Sequence, residues 1–354
     1  MTDTSFQWAV IGAGPAGIAA VGKLLDNNVA PQAILWLDPY FKVGDFGQYW
    51  SNVTSNTCVA RFIDFLHAVD VFKQVPLLKE CALFNLPSQS TCKLSYMAEP
   101  LEHITYWLKD KVVSVQTFIK TLELCNNHWK LCNQTQCYQA QNVILATGAS
   151  PRPLTPATHA MVMPFANAID KPTLLAQLKP NHTYGVIGAS HSAIMITRHL
   201  VEAGVNVINF YRHFCRYALD MGEWILFDNT GLKGETADWA RAYIDGVWPK
   251  NLMRCASDAA DVNDYLKRCD TLIYAIGFTP RTLPVIKHYT HAAYNPHLGI
   301  IGPGLFGLGI GFPERKADPF GHIEDQVGLW KFMTYLQKVL PIWLRYTNKI
   351  ASSI

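Results

Sequence analysis

A glycine-rich turn directly after an apolar strand constrains the fold of this chain more than any other feature. Residues 6–11 read FQWAVI, which predicts a short buried strand. They run into Gly12-Ala-Gly14-Pro-Ala-Gly17 and then into a helical run over residues 18–25. A strand, a G-x-G-x-x-G turn and a helix in this order form a dinucleotide-binding unit, in which the helix N-terminus faces the pyrophosphate. The pattern therefore predicts an α/β fold with parallel strands.

Each glycine of this first turn has a predicted role. Gly12 permits the turn, Gly14 leaves room for a pyrophosphate against the backbone, and Gly17 lets the helix pack closely on the strand. A second strand over residues 33–37 ends in Asp38, whose carboxylate suits a pair of ribose hydroxyls. The candidate cofactor-binding residues of this unit are Gly12, Gly14, Pro15, Ala16, Gly17 and Asp38.

The same unit recurs later in the chain. A strand over residues 183–187 leads into Gly188-Ala-Ser190-His-Ser192-Ala193, a helical run over residues 194–203 and a strand over residues 205–210. Arg212 follows that strand where the first unit has an acid, and an arginine can pair with the 2′-phosphate of NADPH. The alternative is an ordinary solvated arginine at a strand end. The candidate residues of the second unit are Gly188, Ser190, Ser192 and Arg212.

Two shorter motifs complete the pattern. Residues 142–148 (NVILATG) and residues 272–280 (LIYAIGFTP) are apolar strands that each run into a glycine. With these four motifs in this order, nearly the whole chain resembles the two-dinucleotide-binding-domain flavoproteins, which include pyridine-nucleotide-disulfide reductases and flavin-containing monooxygenases. The resemblance implies FAD in the first site and NADPH in the second. It adds Thr147, Gly148 and Gly277 to the cofactor-binding candidates.

The resemblance also implies the domain organisation, two Rossmann-like domains with the NADPH domain inserted into a split FAD domain. The expected ranges are 1–150 and 290–354 for FAD and 151–289 for NAD(P)H. In the return part, residues 302–311 are expected to form a glycine-rich strand whose Gly309 approaches the flavin, although the Gly-Asp ending common in the family is absent. Residues 318–325 are then expected to begin a final helix that aims its N-terminus at the flavin.

The cysteines argue against a thiol reductase. Nine cysteines are present without any Cys-x-x-Cys, so no metal site is predicted and reduced thiols in a cytoplasmic protein are expected. Residues 43–50, where the glutathione-reductase branch carries its redox pair, contain no cysteine. Cys132 and Cys137 have a Cys-x4-Cys spacing but lie in a predicted hairpin, where structural thiols are the simpler interpretation. Cys58 alone fits a small buried residue better than a peroxidase thiol.

The segment after the second strand resembles the flavin-containing monooxygenases instead. Gly47-Gln48-Tyr-Trp50 is similar to their G-G-x-W stretch, and residues 53–57 are similar to their S-N-[ST] segment. The resemblance implies that Trp50 belongs to the cofactor site and that Asn56 lies near the flavin. Asn56 and Gln48 would then hold a peroxyflavin while oxygen passes to a small molecule. An Asx-type turn or a cap of the following helix is the alternative role for Asn56.

The expected reaction passes hydride from NADPH to flavin N5, with O2 as co-substrate, but two alternatives stay open. The aromatic, mildly basic segment 329–346 is expected to pack on the FAD domain or across a homodimer. As a peripheral membrane helix, it would instead suggest an NAD(P)H dehydrogenase that reduces a quinone. The F-x-G-x-x-x-H signature of most flavin monooxygenases is missing, and His159 stands outside that pattern. A non-catalytic, redox-sensing flavoprotein is therefore the third possibility.

Composition excludes several other classes. The chain has 354 residues, of which 49% are hydrophobic and 16% charged, so a large core is available and disorder is not expected. A net charge of +3 without a basic tail gives no case for a nucleic-acid partner. The apolar start follows Asp3 without a basic region, unlike a secretory signal, and no long uninterrupted apolar stretch predicts a spanning helix. Residues 215–268 are predicted to elaborate the second domain beside a substrate entrance.

Overall fold

The computed structural model describes residues 5–152, 160–287 and 293–351, with side chains to residue 345. The strands are β1 Ser5–Ile11, β2 Ile34–Asp38, β3 Val113–Gln116, β4 Thr121–Cys125, β5 His128–Cys132, β6 Cys137–Leu145, β7 Ala149–Pro151, β8 Met161–Val162, β9 Thr183–Ile187, β10 Asn206–Tyr211, β11 Leu219–Asp220, β12 Ile225–Leu226, β13 Leu252–Ala256, β14 Thr271–Tyr274, β15 Phe278–Pro280, β16 Val285–Lys287, β17 Ile300–Gly302, β18 Leu305–Gly307, β19 Glu314–Ala317 and β20 Ile323–Gln326. The helices are α1 Pro15–Asp26, α2 Gly44–Gln48, α3 Val59–His67, α4 Ser95–Lys111, α5 Phe165–Ile169, α6 Lys171–Ala176, α7 His191–Glu202, α8 Gly234–Tyr243, α9 Val262–Lys267 and α10 Leu329–Ala351. Four short 3-10 turns add to these between α1 and α4.

The first sheet is built around β1, which pairs in parallel with β2 on one side and with β6 on the other. The path through the sheet runs β16-β4-β5-β6-β1-β2-β3, and β18 joins it by pairing in parallel with β6. Nearly every residue of β1 and β2 is buried, since helices cover one face and the β4–β6 layer contributes to the other. This continuous burial explains why both strands are apolar runs rather than alternating ones.

The second sheet consists of five parallel strands in the order β13-β10-β9-β14-β8. It has its own apolar core, in which α7 and α8 pack together. The chain enters this sheet through β7 and leaves it through β15, and these two strands pair antiparallel as a ribbon. The predicted α/β class with two Rossmann-like units, one inserted into the other, is confirmed. The boundaries at residues 150 and 290 stay predictions, and β16, at residues 285–287, already belongs to the first sheet.

Two secondary-structure expectations for the return part are wrong. The glycine-rich stretch 302–311 is not one strand, because Gly304 adopts a left-handed φ of 61° and turns the chain between β17 and β18. Residues 318–325 do not start a helix. Residues 318–322 form the turn between β19 and β20, and residues 323–325 belong to β20. Asp318 accepts hydrogen bonds from the backbone N–H groups of Phe320 and His322, which is turn chemistry reinforced by the adjacent proline and glycine.

The last helix, α10, begins at Leu329 and lies against α1 and α3. Its apolar face is buried, including Met333, Leu336 and Trp343, the last of which donates its indole N–H to the Leu298 carbonyl. These contacts fit the expectation of a helix packed on the first domain, whereas homodimerisation and peripheral membrane contact stay predictions. No helix in the described part of the chain is long and apolar enough to cross a membrane.

One cysteine pair departs from the expected reduced state. Cys132 and Cys137 face each other at the end of the β5–β6 hairpin and form a disulfide. Directly paired positions of antiparallel strands bring side chains close together, which is what a disulfide needs. The interpretation of this pair as structural fits its place in the hairpin. His159 lies outside the described residues.

Candidate functional site

The first glycine turn is packed tightly at two positions and open at one. Gly12 has a φ of 118°, and a Cβ there would lie 2.2 Å from the Ala146 carbonyl oxygen. A Cβ on Gly17 would lie 2.0 Å from the Gly12 carbonyl oxygen, so the start of α1 rests directly on the turn. At Gly14 the nearest atom to a Cβ is 4.0 Å away. The turn therefore leaves open space at the glycine that was predicted to face a pyrophosphate.

The N-terminus of α1 is free to bind an anion. Gly14 is the N-cap residue and offers no side-chain hydrogen bond, and Pro15 and Ala16 form the first turn of the helix. Uncapped N–H groups at a helix start carry partial positive charge toward whatever lies in front of them. Gly309, which has a φ of 90°, comes from the return part of the chain and lies against Ala16. It therefore borders this turn, and its predicted contact with a flavin stays a prediction.

Asp38 connects the turn to the end of β2. Its Oδ2 accepts the backbone N–H of Ala13 at 2.7 Å, and its Oδ1 accepts those of Tyr40 and Phe41 at 2.7 Å each. A carboxylate has about four lone-pair positions, so these three bonds leave room for another donor. The side chain is nearly buried and lines the pocket beside the turn. Its geometry is compatible with the predicted bond to a ribose hydroxyl.

A pocket of about 390 Å³ lies beside this first turn and is named here the first pocket. Its lining residues include Gly12, Asp38, Gln48, Thr147 and Arg281. The Thr147 hydroxyl is buried and has no hydrogen-bond partner. Next to it, Gly148 has a φ of 77°, and a Cβ there would meet no atom within 4 Å, so the backbone faces open space. An orphaned hydroxyl beside an open glycine fits a polar ligand in this pocket.

The first glycine of the second turn makes the same kinds of contact as the first glycine of the first turn. Gly188 has a φ of 135°, and a Cβ there would lie 2.3 Å from the Ala275 carbonyl oxygen. Its backbone N–H donates to the Phe210 carbonyl at 2.8 Å, as that of Gly12 donates to Leu37 at 2.8 Å. Ser190 occupies the position of Gly14 and is the N-cap of α7, again without a side-chain cap bond. Ser192 lies in the first turn of the same helix.

A pocket of about 610 Å³, named here the second pocket, adjoins this second turn. Gly188 and Ser190 line it together with Arg212, as the sequence predicts, but two further arginines, Arg152 and Arg216, also reach it. The exposed arginines make the pocket cationic, and arginine is the side chain best suited to bind phosphate. Residues that the motif reasoning missed are Arg152, His213, Arg216, Thr230 and Ser257. A signal for two of them was present in the run Arg212-His-Phe-Cys-Arg216.

A cleft of about 730 Å³, named here the central cleft, is lined by both parts of the chain. Asn56, Cys58 and Trp330 come from the first domain, and Asp228 and Lys233 come from the predicted elaboration of the second. Asn56 is exposed, and its Oδ1 accepts a bond from the Thr57 hydroxyl. The helix-cap alternative for Asn56 is wrong, because Cys58 is the N-cap of α3.

The structure does not bring the two predicted catalytic residues together. Asn56 lines the central cleft, whereas Gln48 lines the first pocket and donates its amide N–H to the Gly44 carbonyl at 3.2 Å. Trp50 lines neither; its ring packs edge-on against Phe278 with centroids 5.5 Å apart. Gly277 follows β14 with a φ of 92° and accepts the N–H of Arg152 through its carbonyl. Trp50 and Gly277 thus lie where the two domains meet.

A half-buried charge cluster joins the two domains at the central cleft. Lys331 of α10 forms an ion pair with Asp228 at 2.6 Å, and Lys233 pairs with the same carboxylate. Burial raises the pKa of Asp228, but hydrogen bonds from the two lysines outweigh it, so the pKa is lowered overall. Burial lowers the pKa of Lys331, and its bond to Asp228 offsets this only in part. The cluster holds a net positive charge against the cleft.

His191 is the remaining titratable group at the second turn. Its side chain lies at the start of α7, and its Nδ1 is buried without a hydrogen-bond partner. Burial and, to a lesser extent, the charge of Lys233 together lower the pKa of His191 to about 4. The imidazole is therefore neutral at physiological pH, and it adds no positive charge to the arginines of the second pocket.

Comparison with known proteins gives a consistent family. Residues 6–293 match the pyridine nucleotide-disulphide oxidoreductase family. A monooxygenase of Paecilomyces divaricatus, AgnR1, is 31% identical over 387 aligned positions, which cover 95% of this chain and 97% of that protein. A flavin-containing monooxygenase from Stenotrophomonas maltophilia superposes with a TM-score of 0.65 at 14% identity, over 97% of this chain and 99% of its own.

A structure with different chemistry superposes equally well. The bacillithiol disulfide reductase of Staphylococcus aureus has a TM-score of 0.65 at 14% identity, again over 97% of this chain and 99% of its own. Identities this low show a shared fold and nothing more. The choice between oxygen and thiol chemistry therefore depends on the residues of the site.

Proposed function

The chain belongs to the pyridine nucleotide-disulphide oxidoreductase family, and from this premise we propose that it is an FAD-dependent NADPH oxidoreductase of the monooxygenase type. The enzyme takes two electrons from NADPH and uses them, with protons, to split O2; one oxygen atom passes to a small molecule and the other leaves as water. Its class as an FAD-dependent oxidoreductase follows from the family. The oxygenation step and the role of each residue are the proposed part.

The first pocket has the features that FAD requires. The open Gly14 and the uncapped start of α1 accept a pyrophosphate, and Asp38 has an acceptor position left for a ribose hydroxyl. Thr147 has a buried hydroxyl that lacks a partner and would gain one from a bound polar ligand. FAD bound by these residues supplies the hydride-accepting and oxygen-reactive chemistry that no amino-acid side chain can supply.

The second pocket has the features that NADPH requires. The uncapped start of α7 serves the pyrophosphate, and Arg212 and Arg216 provide the charge for a 2′-phosphate. Tyr211, the residue that aligns with Asp38, carries no negative charge that would repel that phosphate. NADPH is therefore the preferred donor over NADH.

The central cleft is the proposed reaction site. It opens between the two domains, where a donor held by one and an acceptor held by the other can approach each other. The carboxamide of Asn56 can donate a hydrogen bond into the cleft, and the Lys331–Asp228–Lys233 cluster keeps a positive field at its wall. Leu329, Trp330 and Leu232 contribute apolar side chains to its wall.

The thiol-reductase alternative needs a pair of cysteines at the reaction site, and the described residues of the central cleft do not provide one. Among the described residues that line the central cleft, Cys58 is the one cysteine, and a dithiol mechanism needs two. The disulfide Cys132–Cys137 belongs to the β5–β6 hairpin, and neither of its cysteines lines one of the three pockets described above. The single observation that carries the proposal is the doubled turn, built once with an acid and once with arginines, in a chain 31% identical to a monooxygenase.

Measuring how much O2 is consumed and how much H2O2 is released for each NADPH oxidised tests this proposal. FAD-reconstituted protein is given NADPH in air, and NADPH loss, O2 uptake and H2O2 release are measured together with and without a soluble quinone. A monooxygenase consumes O2 with NADPH, and a true substrate lowers the H2O2 released for each NADPH. Quinone reduction that proceeds without O2 uptake would overturn the proposal.

Asn56 provides the matched variant pair. Asn56→Ala is expected to raise the share of NADPH that ends as H2O2, because the cleft loses its amide donor. Gln89→Ala removes another exposed amide at the rim of the same cleft and should leave that share unchanged. Equal H2O2 release by both variants and the unaltered protein would remove Asn56 from the mechanism.

A further inference from the structure

A cluster of three metal-binding side chains lies away from both nucleotide pockets. Glu99 and His103 are one helical turn apart on α4, and Cys81 lies between two short 3-10 turns, Leu78–Glu80 and Ala82–Asn85, that pack on that helix. The thiol, carboxylate and imidazole donor atoms all lie within 4.8 Å of one another. Among the described residues, this is the one group of three such donors found at that spacing.

The three side chains are differently exposed. Cys81 is only 3% exposed, His103 is half-buried and Glu99 is exposed. The Cys81 thiol has only a long contact of 3.8 Å to the Leu77 carbonyl. In the described part of the chain, no hydrogen bond or ion pair engages the side chains of Glu99 or His103. Three potential ligands from two segments thus lie close together without a hydrogen bond or ion pair between them among the described residues.

The donor set selects the class of ion. A thiolate and an imidazole are ligands for zinc and similar transition metals, whereas magnesium and calcium prefer oxygen alone. Zinc binds sulfur, nitrogen and oxygen at about 2.0–2.3 Å, which places ligands of a tetrahedral ion roughly 3.5 Å apart. The exposed Glu99 carboxylate can rotate to close the remaining gap. Three protein ligands leave a fourth position for water.

We propose that Cys81, Glu99 and His103 form a zinc-binding site that fastens the 77–85 loop to α4. Helix α4 packs on α1 and α2, and these two helices border the first glycine turn and the first pocket. A metal bound here would hold α4, and through it α1 and α2, in place beside the first pocket. It takes no part in electron transfer. The ion has a structural role, and it stabilises the folded state in proportion to its affinity.

Burial raises the pKa of Cys81, and the nearby Glu99 carboxylate raises it further. A bound Zn²⁺ reverses both influences, because the cation stabilises the thiolate and neutralises the carboxylate. Zinc binding is therefore expected to release one proton from Cys81.

Cobalt substitution tests the site directly. Chelator-treated full-length protein is titrated with Co²⁺, and the visible and near-ultraviolet spectrum is recorded; Zn²⁺ is then added as competitor. The expected result is one equivalent of Co²⁺ with tetrahedral visible bands and a thiolate-to-cobalt charge-transfer band, both displaced by Zn²⁺. A spectrum without the charge-transfer band in the unaltered protein would overturn the proposal.

Variants assign the ligands and control for stray thiols. Cys81→Ser should abolish the charge-transfer band, and His103→Gln should weaken Zn²⁺ binding by at least about tenfold to a hundredfold, since even indirect partners of a ligand contribute that much. Glu99→Gln changes an exposed side chain, so it should fold and bind Zn²⁺ more weakly than the unaltered protein, which keeps the test valid if Cys81→Ser unfolds. Cys125→Ser removes an exposed free cysteine elsewhere and should bind as the unaltered protein does.

A stability measurement gives a second, independent result. One equivalent of Zn²⁺ should raise the thermal midpoint of the unaltered protein and of Cys125→Ser, but not that of His103→Gln. Equal stabilisation of His103→Gln would contradict the assignment, as would loss of the cobalt spectrum in Cys125→Ser. Neither result depends on the enzyme's activity, so this site and the proposed function can fail separately.

Discussion

The turn after β1 and the turn after β9 hold their first glycine in the same way, with Ala146 opposite Gly12 and Ala275 opposite Gly188. The strands beside them end differently. β2 ends in Asp38, which is bonded to the turn itself, whereas β10 ends in Tyr211 and is followed by the exposed Arg212. The same backbone arrangement thus appears twice, with an acid at the end of the second strand in the first unit and a neutral tyrosine followed by an arginine in the second.

This difference shows which part of a nucleotide site is general and which part is specific. Glycines and free helix N-termini are needed wherever a pyrophosphate binds, so both units keep them. The side chains at the end of the second strand select between a free ribose and a phosphorylated one. Asp38 also forms part of the turn, whereas Arg212 is exposed at the pocket beside Arg152 and Arg216, so the second site can change its charge at less cost to the fold.

The largest effect is expected when each first glycine is replaced by alanine. In Gly12→Ala the new Cβ would overlap the Ala146 carbonyl at a left-handed φ, which should cost roughly 3 kcal/mol or more and prevent FAD retention. Gly188→Ala meets the same overlap at Ala275, but in the inserted domain, so the protein should stay yellow and lose reduction by NADPH. Bound flavin is measured by absorbance, and NADPH reduction by rapid mixing.

The assignment of different cofactors to the two turns would be wrong if Gly12→Ala and Gly188→Ala had the same effect. Loss of flavin from Gly188→Ala would mean that the second turn also holds FAD. Normal flavin content in Gly12→Ala would remove the first turn from the FAD site. Gly204→Ala, at a left-handed position with nothing within 4 Å, is the control for backbone strain without overlap.

A smaller effect is expected from the arginines of the second pocket. Replacing Arg212 and Arg216 with glutamine removes two charge-assisted bonds to the 2′-phosphate, each of which contributes about 1.5–3 kcal/mol. The two losses together should raise the KM for NADPH at least roughly a hundredfold, while the KM for NADH should stay nearly constant. Steady-state kinetics with both donors measures this change.

Arg268 is the matched control for that pair. It is an exposed arginine of the same domain whose guanidinium lies over the Tyr265 ring, and it does not line the second pocket. Arg268→Gln should leave both KM values unchanged. A proportional rise of both KM values in the Arg212 and Arg216 variant would show that these arginines do not discriminate between the donors.

The last effect is nil at neutral pH and develops only in acid, where it lowers the stability of the second domain. Burial lowers the pKa of His191 and of His199, both in α7, to about 4. Between about pH 6.5 and 4 the unfolded chain therefore binds protons that the folded domain does not, so stability is full at higher pH and falls as the pH drops. Each histidine accounts for about 1.4 kcal/mol per pH unit within that window.

Denaturant unfolding at several pH values, followed by tryptophan fluorescence, checks this dependence. His191→Gln combined with His199→Gln should flatten the fall in stability, whereas His128→Gln, on an exposed hairpin of the first sheet, should not. An unchanged slope in the double variant would mean that other groups cause the acid sensitivity.

Local sequence predicted the parts of the site that depend on neighbours along the chain. Gly12, Gly188 and Asp38 could be placed because a strand, a turn and a helix in sequence fix their geometry. The hairpins β17–β18 and β19–β20 replace the predicted strand and helix, because the turn residues Gly304 and Asp318 decide the backbone there and the surrounding apolar and acidic patterns do not. Turn chemistry there would have corrected both expectations.

Residues brought together by tertiary contacts could not be predicted in the same way. Arg152 reaches the second pocket only because the β7–β15 ribbon returns the chain past Gly277. Likewise, the i, i+4 spacing of Glu99 and His103 is visible in the sequence, but their meeting with Cys81 requires the loop to fold onto α4. Asn56 and Gln48 were grouped by motif, and the structure places them in separate pockets.

We propose above all that NADPH bound at the second glycine turn reduces FAD bound at the first. Anaerobic mixing of the purified yellow protein with NADPH, and separately with NADH, tests it by the loss of visible flavin absorbance. Fast bleaching by NADPH, slower bleaching by NADH, and recovery of the absorbance when O2 is admitted are the predicted results. A colourless protein, or a bound flavin that NADPH leaves oxidised, would contradict the account.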